Sequence, residues 1–232
     1  MNPVYLHDLV QYQRILQQRN LYLKQLVTGK AKDEVYLDVL TEQLAILGAD
    51  LLVYRLQFIK KFEAWAQPLH KEISLEWEEL TIAYKSNVEL SDEMDKDALF
   101  LKLMEAFKQG KSRERDQAVT LFGPHRDDLV FQVNGRNVQN FGSQGQQRTT
   151  VLSLKLAEIE CMNEVLGEYP ILLLDDVLSE LDDERQTHLL KAIEKKVQTF
   201  LTTTSLDGIK KNKIDEPTIY HIKNGEVEME GV

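Results

Sequence analysis

Two short stretches carry residue types and spacings that could do chemistry. The first is ILLLDDVLSELD at 171–182, in which four branched apolar residues run into two aspartates. A buried strand that ends in acids places them at the carboxyl edge of a sheet, where ligands of open α/β sheets bind. There Asp175 could hold Mg²⁺, usually through water, and Asp176 could sit beside an attacking water. A core strand followed by an acidic N-cap for the next helix explains the same letters without chemistry. The second stretch is FGSQGQQRTT at 141–150. Ser143 precedes Gln146 by three residues, the spacing of a capping box. Gly145 leaves the helix mouth without a side chain. Free backbone N–H groups, a hydroxyl and the positive end of the helix dipole then converge on a seat for a phosphate. A well-made helix start is the plain alternative.

A nucleotide site of this kind needs a G-x-x-x-x-G-K-S/T loop to wrap the phosphates. Gly110-Lys111-Ser112 is the nearest match, but Glu105 stands where the first glycine belongs. The stretch also closes a helical pattern, whereas a phosphate loop follows a strand. Gly29-Lys30 fails because Ala31 follows. These 232 residues therefore hold no Walker A loop. Without its lysine and amide cradle, this chain alone is expected neither to bind ATP well nor to hydrolyse it.

The elements that must position these stretches are legible in the apolar spacing. Tyr5, Leu9, Tyr12, Leu16, Leu23 and Leu26 recur at steps of three and four, with Arg19 in the one missed seat. Leu37, Leu40, Leu44, Leu47, Leu51, Tyr54, Phe58, Phe62 and Trp65 form a longer stripe, the pattern of a coiled-coil-like seam. Gly29 stops the first helix and Asp33 caps the second, which predicts an antiparallel hairpin arm over 1–70. The remainder, 71–232, reads as a partial head. Strands are expected at 80–84, near 118–122, and at 129–133, the last followed by the hairpin turn Asn134-Gly135. A helix runs between the first two. Then come a helix at 146–166, the strand ILLLDD, a helix at 183–196, the strand TFLTTT, and two short strands around Asn224-Gly225. The fold class is α/β with a helical arm. The unalternating apolar runs at 171–174 and 197–201 point to a parallel sheet.

Composition narrows the function classes. The net charge is −10, which argues against a generic polyanion binder, although residues 1–32 hold five basic side chains against Asp8 alone. A solvated helix face explains that basic segment more simply than a nucleic-acid contact. One cysteine, Cys161, excludes an intrachain disulfide framework. No membrane span or secretion signal is legible, so the expected location is the cytoplasm.

Taken in order, a serine-and-glycine helix mouth, one helix, hhhhDD and then SELD resemble the ABC-type ATPase head. SQGQQ stands at its signature motif, ILLLDD at its Walker B, and Ser179-Glu180-Leu181-Asp182 at its D-loop. With GPHRDD at 123–128 added, the series is similar to the RecF family of bacterial DNA replication and repair proteins, which belong with the structural-maintenance-of-chromosomes and Rad50 group. The resemblance runs over the whole chain and is most specific across 121–183. It implies ATP sandwiched between two heads of a dimer. The cofactor-binding residues would be Ser143, Gln144, Gly145, Gln146, Arg148 and Asp182. Ser143 and Gly145 would cap a γ-phosphate held by the opposite subunit, Arg148 would support the phosphate or the interface, and Asp182 would reach across it. Asp175 would take the Mg²⁺ shell and Asp176 the catalytic base position. Asp176 stands where such heads usually have Glu, which implies slow hydrolysis. Threonines at 202–204 stand where a switch histidine is usual, with Thr203 or Thr204 expected at the phosphate. His125 and Arg126 carry a family motif, but their chemistry alone gives them no firm role; they could equally hold the 129–138 hairpin against the sheet.

The resemblance further implies ATP-dependent binding of single-stranded or gapped DNA in recombinational repair, replication and the SOS response. The location would be cytoplasmic and nucleoid-associated, with RecR and RecO as partners. The Walker A region would lie upstream, so the chain would be the C-terminal part of a longer protein. Two other readings stay open. One is a metal-dependent nuclease or phosphatase using Asp175 and Asp176; the other is a scaffold that binds partners through the hairpin.

Overall fold

The computed structural model describes residues 2–91, 94–194, 196–205 and 217–230, the side chain of Glu180 excepted. It divides into two compact units, Met1–Lys61 with Ile82–Val130, and Phe62–Thr81 with Phe131–Val232. Neither unit ends at 70.

In the first unit, α1 (Pro3–Val27) starts at Asn2, whose side chain accepts from the Val4 N–H, with Pro3 in the first turn. Asp33 Oδ1 accepts from the Val35 N–H at the start of α2 (Glu34–Ile73). At ~1.5 Å per residue, the 40 residues of α2 span about 60 Å. The helix continues through Pro68, which removes one N–H from its ladder. Burial of Leu69, His70 and Ile73 holds the turns beyond it. The expected seam of two helices is a core of three. Leu99, Leu103 and Phe107 of α3 (Lys96–Gln117) join Tyr12, Leu44, Ala45, Leu51 and Leu52. The stripe fades toward its far end, where Phe58 is half exposed.

Arg19 is 2% exposed, so it is not part of the basic surface. Its guanidinium donates to Thr41 Oγ1 at 2.9 Å, Thr120 Oγ1 at 2.8 Å and Glu114 Oε2 at 2.6 Å, and lies over the Phe107 ring. Residues 118–122 are irregular where a strand was expected. Ala118, with φ +52°, ends α3. The backbone then bonds to side chains in place of a strand ladder, Thr120 N–H to Asn20 and Leu121 N–H to Glu114.

β1 (Leu80–Lys85), β2 (Asp128–Val133) and β3 (Arg136–Asn137) make a three-stranded sheet in that order, in which residues 82–85 and 128–130 count with the first unit. The rest of the α/β part lies in the second unit. Asn134 and Gly135 both have positive φ, as the tight turn between β2 and β3 requires. A short α4 (Val138–Phe141) leads into α5 (Gln144–Leu166). β4 (Leu172–Asp175) and β5 (Thr199–Thr202) pair in parallel, with Asp175 opposite Thr202. Between them lie a 3₁₀ turn, Val177–Glu180, and α6 (Asp183–Ile193). β6 (Tyr220–Lys223) and β7 (Glu226–Met229) form the closing hairpin. The apolar run of β4 is buried on one side only. Leu174 is 7% exposed, whereas Leu173 is 73% and Phe200 of β5 is 53%.

Candidate functional site

The sheet edge is built by the parallel pairing. Because Asp175 faces Thr202 across the ladder, the Thr202 hydroxyl donates to Asp175 Oδ1 at 2.6 Å and accepts from the Asp176 N–H at 3.0 Å. One threonine thus fixes the backbone and the carboxylate at the strand end. Asp176 turns the chain with φ +50°, a conformation that Asp tolerates better than most residues. Ser179 Oγ donates back to the Asp176 carbonyl at 2.9 Å, closing the 3₁₀ turn. Both aspartates are exposed. Asp175 Oδ2 has no protein hydrogen bond among the described residues, so the carboxylate fits a hydrated Mg²⁺. Among the described residues no three His, Cys, Asp or Glu side chains gather as a metal site. Thr203 does not join this group: its hydroxyl donates to the Ser205 carbonyl at 2.8 Å. Thr204 is exposed in the bend that follows β5.

The mouth of α5 is the second group. Ser143 Oγ accepts from the Gln146 N–H at 3.2 Å and Gln146 Oε1 accepts from the Ser143 N–H at 3.0 Å, a complete capping box. Ser143, Gln144 and Arg148 are exposed, and Gly145 and Gln146 half-buried. Gly145 has a neighbour invisible in the sequence. A Cβ there would come within 2.8 Å of Arg185 Nη1. Arg185, in the first turn of α6, donates to Thr149 Oγ1 at 2.9 Å and to Glu78 Oε1 at 3.5 Å. Its Nε lies 3.5 Å from Asp182 Oδ2. Asp182 is also the N-cap of α6, accepting from the Arg185 N–H at 2.9 Å. Gln186 ties the D-loop down by donating to the carbonyls of Leu178 and Leu181. Sequence reading missed Arg185; its position three residues after Asp182 was the available signal.

GPHRDD forms a clamped loop in the first unit. His125 Nε2 faces the Thr120 carbonyl, which can only accept, so Nδ1 accepts from the Tyr12 hydroxyl at 2.7 Å. Burial, aided by the cations of Arg126, Arg19 and Arg55, holds the His125 imidazole below its ordinary pKa. Arg126 donates to the same Thr120 carbonyl. Arg55 bonds the Pro124 carbonyl at 2.6 Å and the hydroxyls of Tyr5 and Tyr84. Asp127 accepts from Tyr84 and Ser86, each at 2.8 Å, and burial raises its pKa. His125 and Arg126 therefore fasten their own loop to Thr120 and α1. Gly110-Lys111-Ser112 lies inside α3, where a Cβ on Gly110 would run into the Phe122 ring. Close packing explains that glycine.

No family model matches the chain. Over 229 residues it is 56% identical to the DNA replication and repair protein RecF of Enterococcus faecalis, covering 98% of this chain and 61% of that one. The Bacillus subtilis relative of the same name is 55% identical over 225 residues. The chain belongs to the RecF family. It spans about three fifths of the length of these RecF relatives, at 61%. A solved structure of the recombination mediator protein RecF with ATP, in the RecFOR pathway, aligns with all of this chain and 60% of its own, with a TM-score of 0.81 and 33% identity. A RecF–ATPγS structure from the same pathway aligns with a TM-score of 0.78. The fold is thus α/β, part of an ABC-type ATPase with a helical arm, as the motif order implies. Among the described residues no helix is long and apolar enough to cross a membrane.

Proposed function

We propose that this chain supplies the signature face, the Mg²⁺ aspartate and the D-loop of a RecF-type head that acts in DNA repair and replication. The observation that carries the reading is the complete capping box of Ser143 and Gln146 at the mouth of α5, beside the D-loop residue Asp182. That mouth offers uncommitted N–H groups and the positive helix end to a γ-phosphate held by a second head. Asp175 orients the Mg²⁺ shell, steadied by Thr202, and Asp176 stands as the base beside the attacking water. Bound Mg·ATP supplies the phosphoryl group and the charge that draws the two heads together. Asp182 reaches the partner head, Arg148 supports the phosphate or the interface, and Gln144 lines the mouth. Thr203 and Thr204 follow β5 at the position of the missing switch histidine.

The helical part over 1–70 serves as the arm and 71–232 as part of the head. The exposed faces of Leu173 and Phe200 are where further elements of a complete head pack. ATP-dependent pairing lets the protein hold single-stranded or gapped DNA through sequence-independent phosphate contacts, with RecR and RecO as partners in the cytoplasm and the SOS response as one setting. The test uses a full-length chimera, with this chain in place of the matching part of the Bacillus subtilis relative. It should dimerise with ATP, and Ser143→Arg should abolish that by filling the phosphate seat. Unchanged dimerisation of Ser143→Arg would refute the reading.

A further inference from the structure

We propose that Arg185 is a positioning residue that locks the mouth of α5 to the D-loop, so that a γ-phosphate engaging one engages both. The inference rests on the γ-phosphate reading above and adds a residue that the motifs do not contain.

Its basis is the reach of one guanidinium. Arg185 donates to Thr149 Oγ1 in α5, approaches Asp182 Oδ2 in the D-loop, and sets its Nη1 where a Cβ on Gly145 would come within 2.8 Å of it. Its third attachment runs the other way, to Glu78 Oε1 at 3.5 Å. Glu78 Oε2 lies 3.3 Å from Nε2 of the fully buried His70, with no hydrogen bond between the two atoms. His70 Nδ1 pairs with Ser153 Oγ at 3.2 Å, and Ser153 donates to the Thr149 carbonyl at 2.7 Å. The path returns to the residue that Arg185 holds. Arg185, Glu78, His70, Ser153 and Thr149 thus lie in a ring of neighbours, hydrogen-bonded except at the Glu78–His70 approach. It lies on the side of α5 away from solvent: the side chains of Arg185, Glu78 and His70 are 19%, 11% and 0% exposed.

Two consequences follow from the chemistry. A rigid planar fork can serve Thr149, Asp182 and Glu78 at once, while a lysine ammonium is a single point charge on a flexible stem. Gln186 fastens the D-loop to its own helix, and among the described residues Arg185 is a side chain that ties it to α5. The same cation sits at the helix mouth, where it adds to the field that an incoming phosphate meets. A dimer-bound γ-phosphate would then find Ser143, Gly145 and Asp182 already in register.

The test measures, in the full-length chimera, the ATP concentration for half-maximal dimerisation, the ATP affinity of the undimerised chain and the thermal midpoint. Arg185→Met should raise the half-maximal ATP concentration by about tenfold or more, a typical coupling between sites, with the affinity of the undimerised chain unchanged. Arg185→Lys keeps the ion pair with Glu78 and should recover most of the thermal midpoint without recovering dimerisation. Dimerisation of Arg185→Met at wild-type ATP overturns the inference. So does a lysine variant in which stability and dimerisation return together, since that marks a merely structural ion pair. Should Arg185→Met not fold, the lysine variant alone decides. Ser143→Arg separates the two layers: if it blocks dimerisation while Arg185→Met does not, only this inference falls. If Ser143→Arg leaves dimerisation intact, the γ-phosphate reading fails and takes this inference with it.

Discussion

Replacing Arg19 with methionine should loosen the first unit by about 3–5 kcal/mol, the usual cost of breaking a buried ion pair from one side. Methionine matches the aliphatic stem and keeps contact with Phe107, so little apolar packing is lost. The cost is polar. Three donors vanish, to Thr41, Thr120 and Glu114. The Glu114 side chain, 1% exposed, keeps only the Leu121 N–H as a donor at 2.7 Å. At 1.4 kcal/mol per factor of ten, the expected loss of protection is about 10²- to 10⁴-fold. Amide hydrogen exchange read on peptides covering 12–26 and 105–126 reports this unit separately from the second. Adding Glu114→Gln removes the stranded charge and keeps an acceptor for Leu121, so the double variant should recover about half the loss or more. A loss below about 1 kcal/mol for Arg19→Met, or no recovery in the double variant, would refute this account of the buried centre.

Three further outcomes are expected. Gly110→Ala drives a Cβ into Phe122 and should cost about 1–3 kcal/mol by thermal unfolding, with no effect on nucleotide binding; a nucleotide effect without a stability effect would revive the GKS loop. Thr202→Val frees the Asp175 carboxylate and the Asp176 N–H, and should raise the Mg²⁺ needed for half-maximal hydrolysis by the chimera about tenfold or more, the scale of a lost outer-shell partner. His125 is held neutral by burial, its folded pKa below the ordinary 6.5. Its contribution is therefore complete above pH 6.5 and lost as pH falls below that value, because the unfolded chain takes up the proton first. The slope is at most about 1.4 kcal/mol per pH unit. Urea midpoints across pH should fall less steeply for His125→Asn, with His70, also lowered by burial, supplying a residual slope.

Local chemistry was the most legible part of the sequence. The capping box at Ser143, the Asn134-Gly135 turn and the end of the run at Asp175 each depend on residues a few positions apart, and each stands in the structure as expected. What the sequence concealed depends on distant partners. Gly145 reads as a phosphate seat, yet the atom that a Cβ there would meet, at 2.8 Å, belongs to Arg185, forty residues on. Arg19 reads as a gap in an apolar stripe, and its partners lie on α2, α3 and the segment after α3. Residues 118–122 look like a strand because they are apolar and β-branched. They are irregular because Asn20 and Glu114 take the backbone hydrogen bonds that a neighbouring strand would take. The hydroxyl on Asp175 belongs to Thr202, a position set by ladder register. Periodicity also cannot tell how many helices share a seam, which is why α3 was missed as its third member.

The central claim is that Ser143 and Asp175 of one chain serve different nucleotides. It is tested most directly by mixing two hydrolysis-deficient chimeras, Ser143→Ala, which removes the hydroxyl without filling the phosphate seat, and Asp175→Asn, and measuring ATP hydrolysis. A heterodimer of the two contains one composite site with both residues intact. Mixing at equal concentration should therefore restore hydrolysis to about a quarter of the wild-type rate, from random pairing of a two-fold dimer with independent sites. No recovery on mixing, with both variants folded and able to pair, would contradict the account.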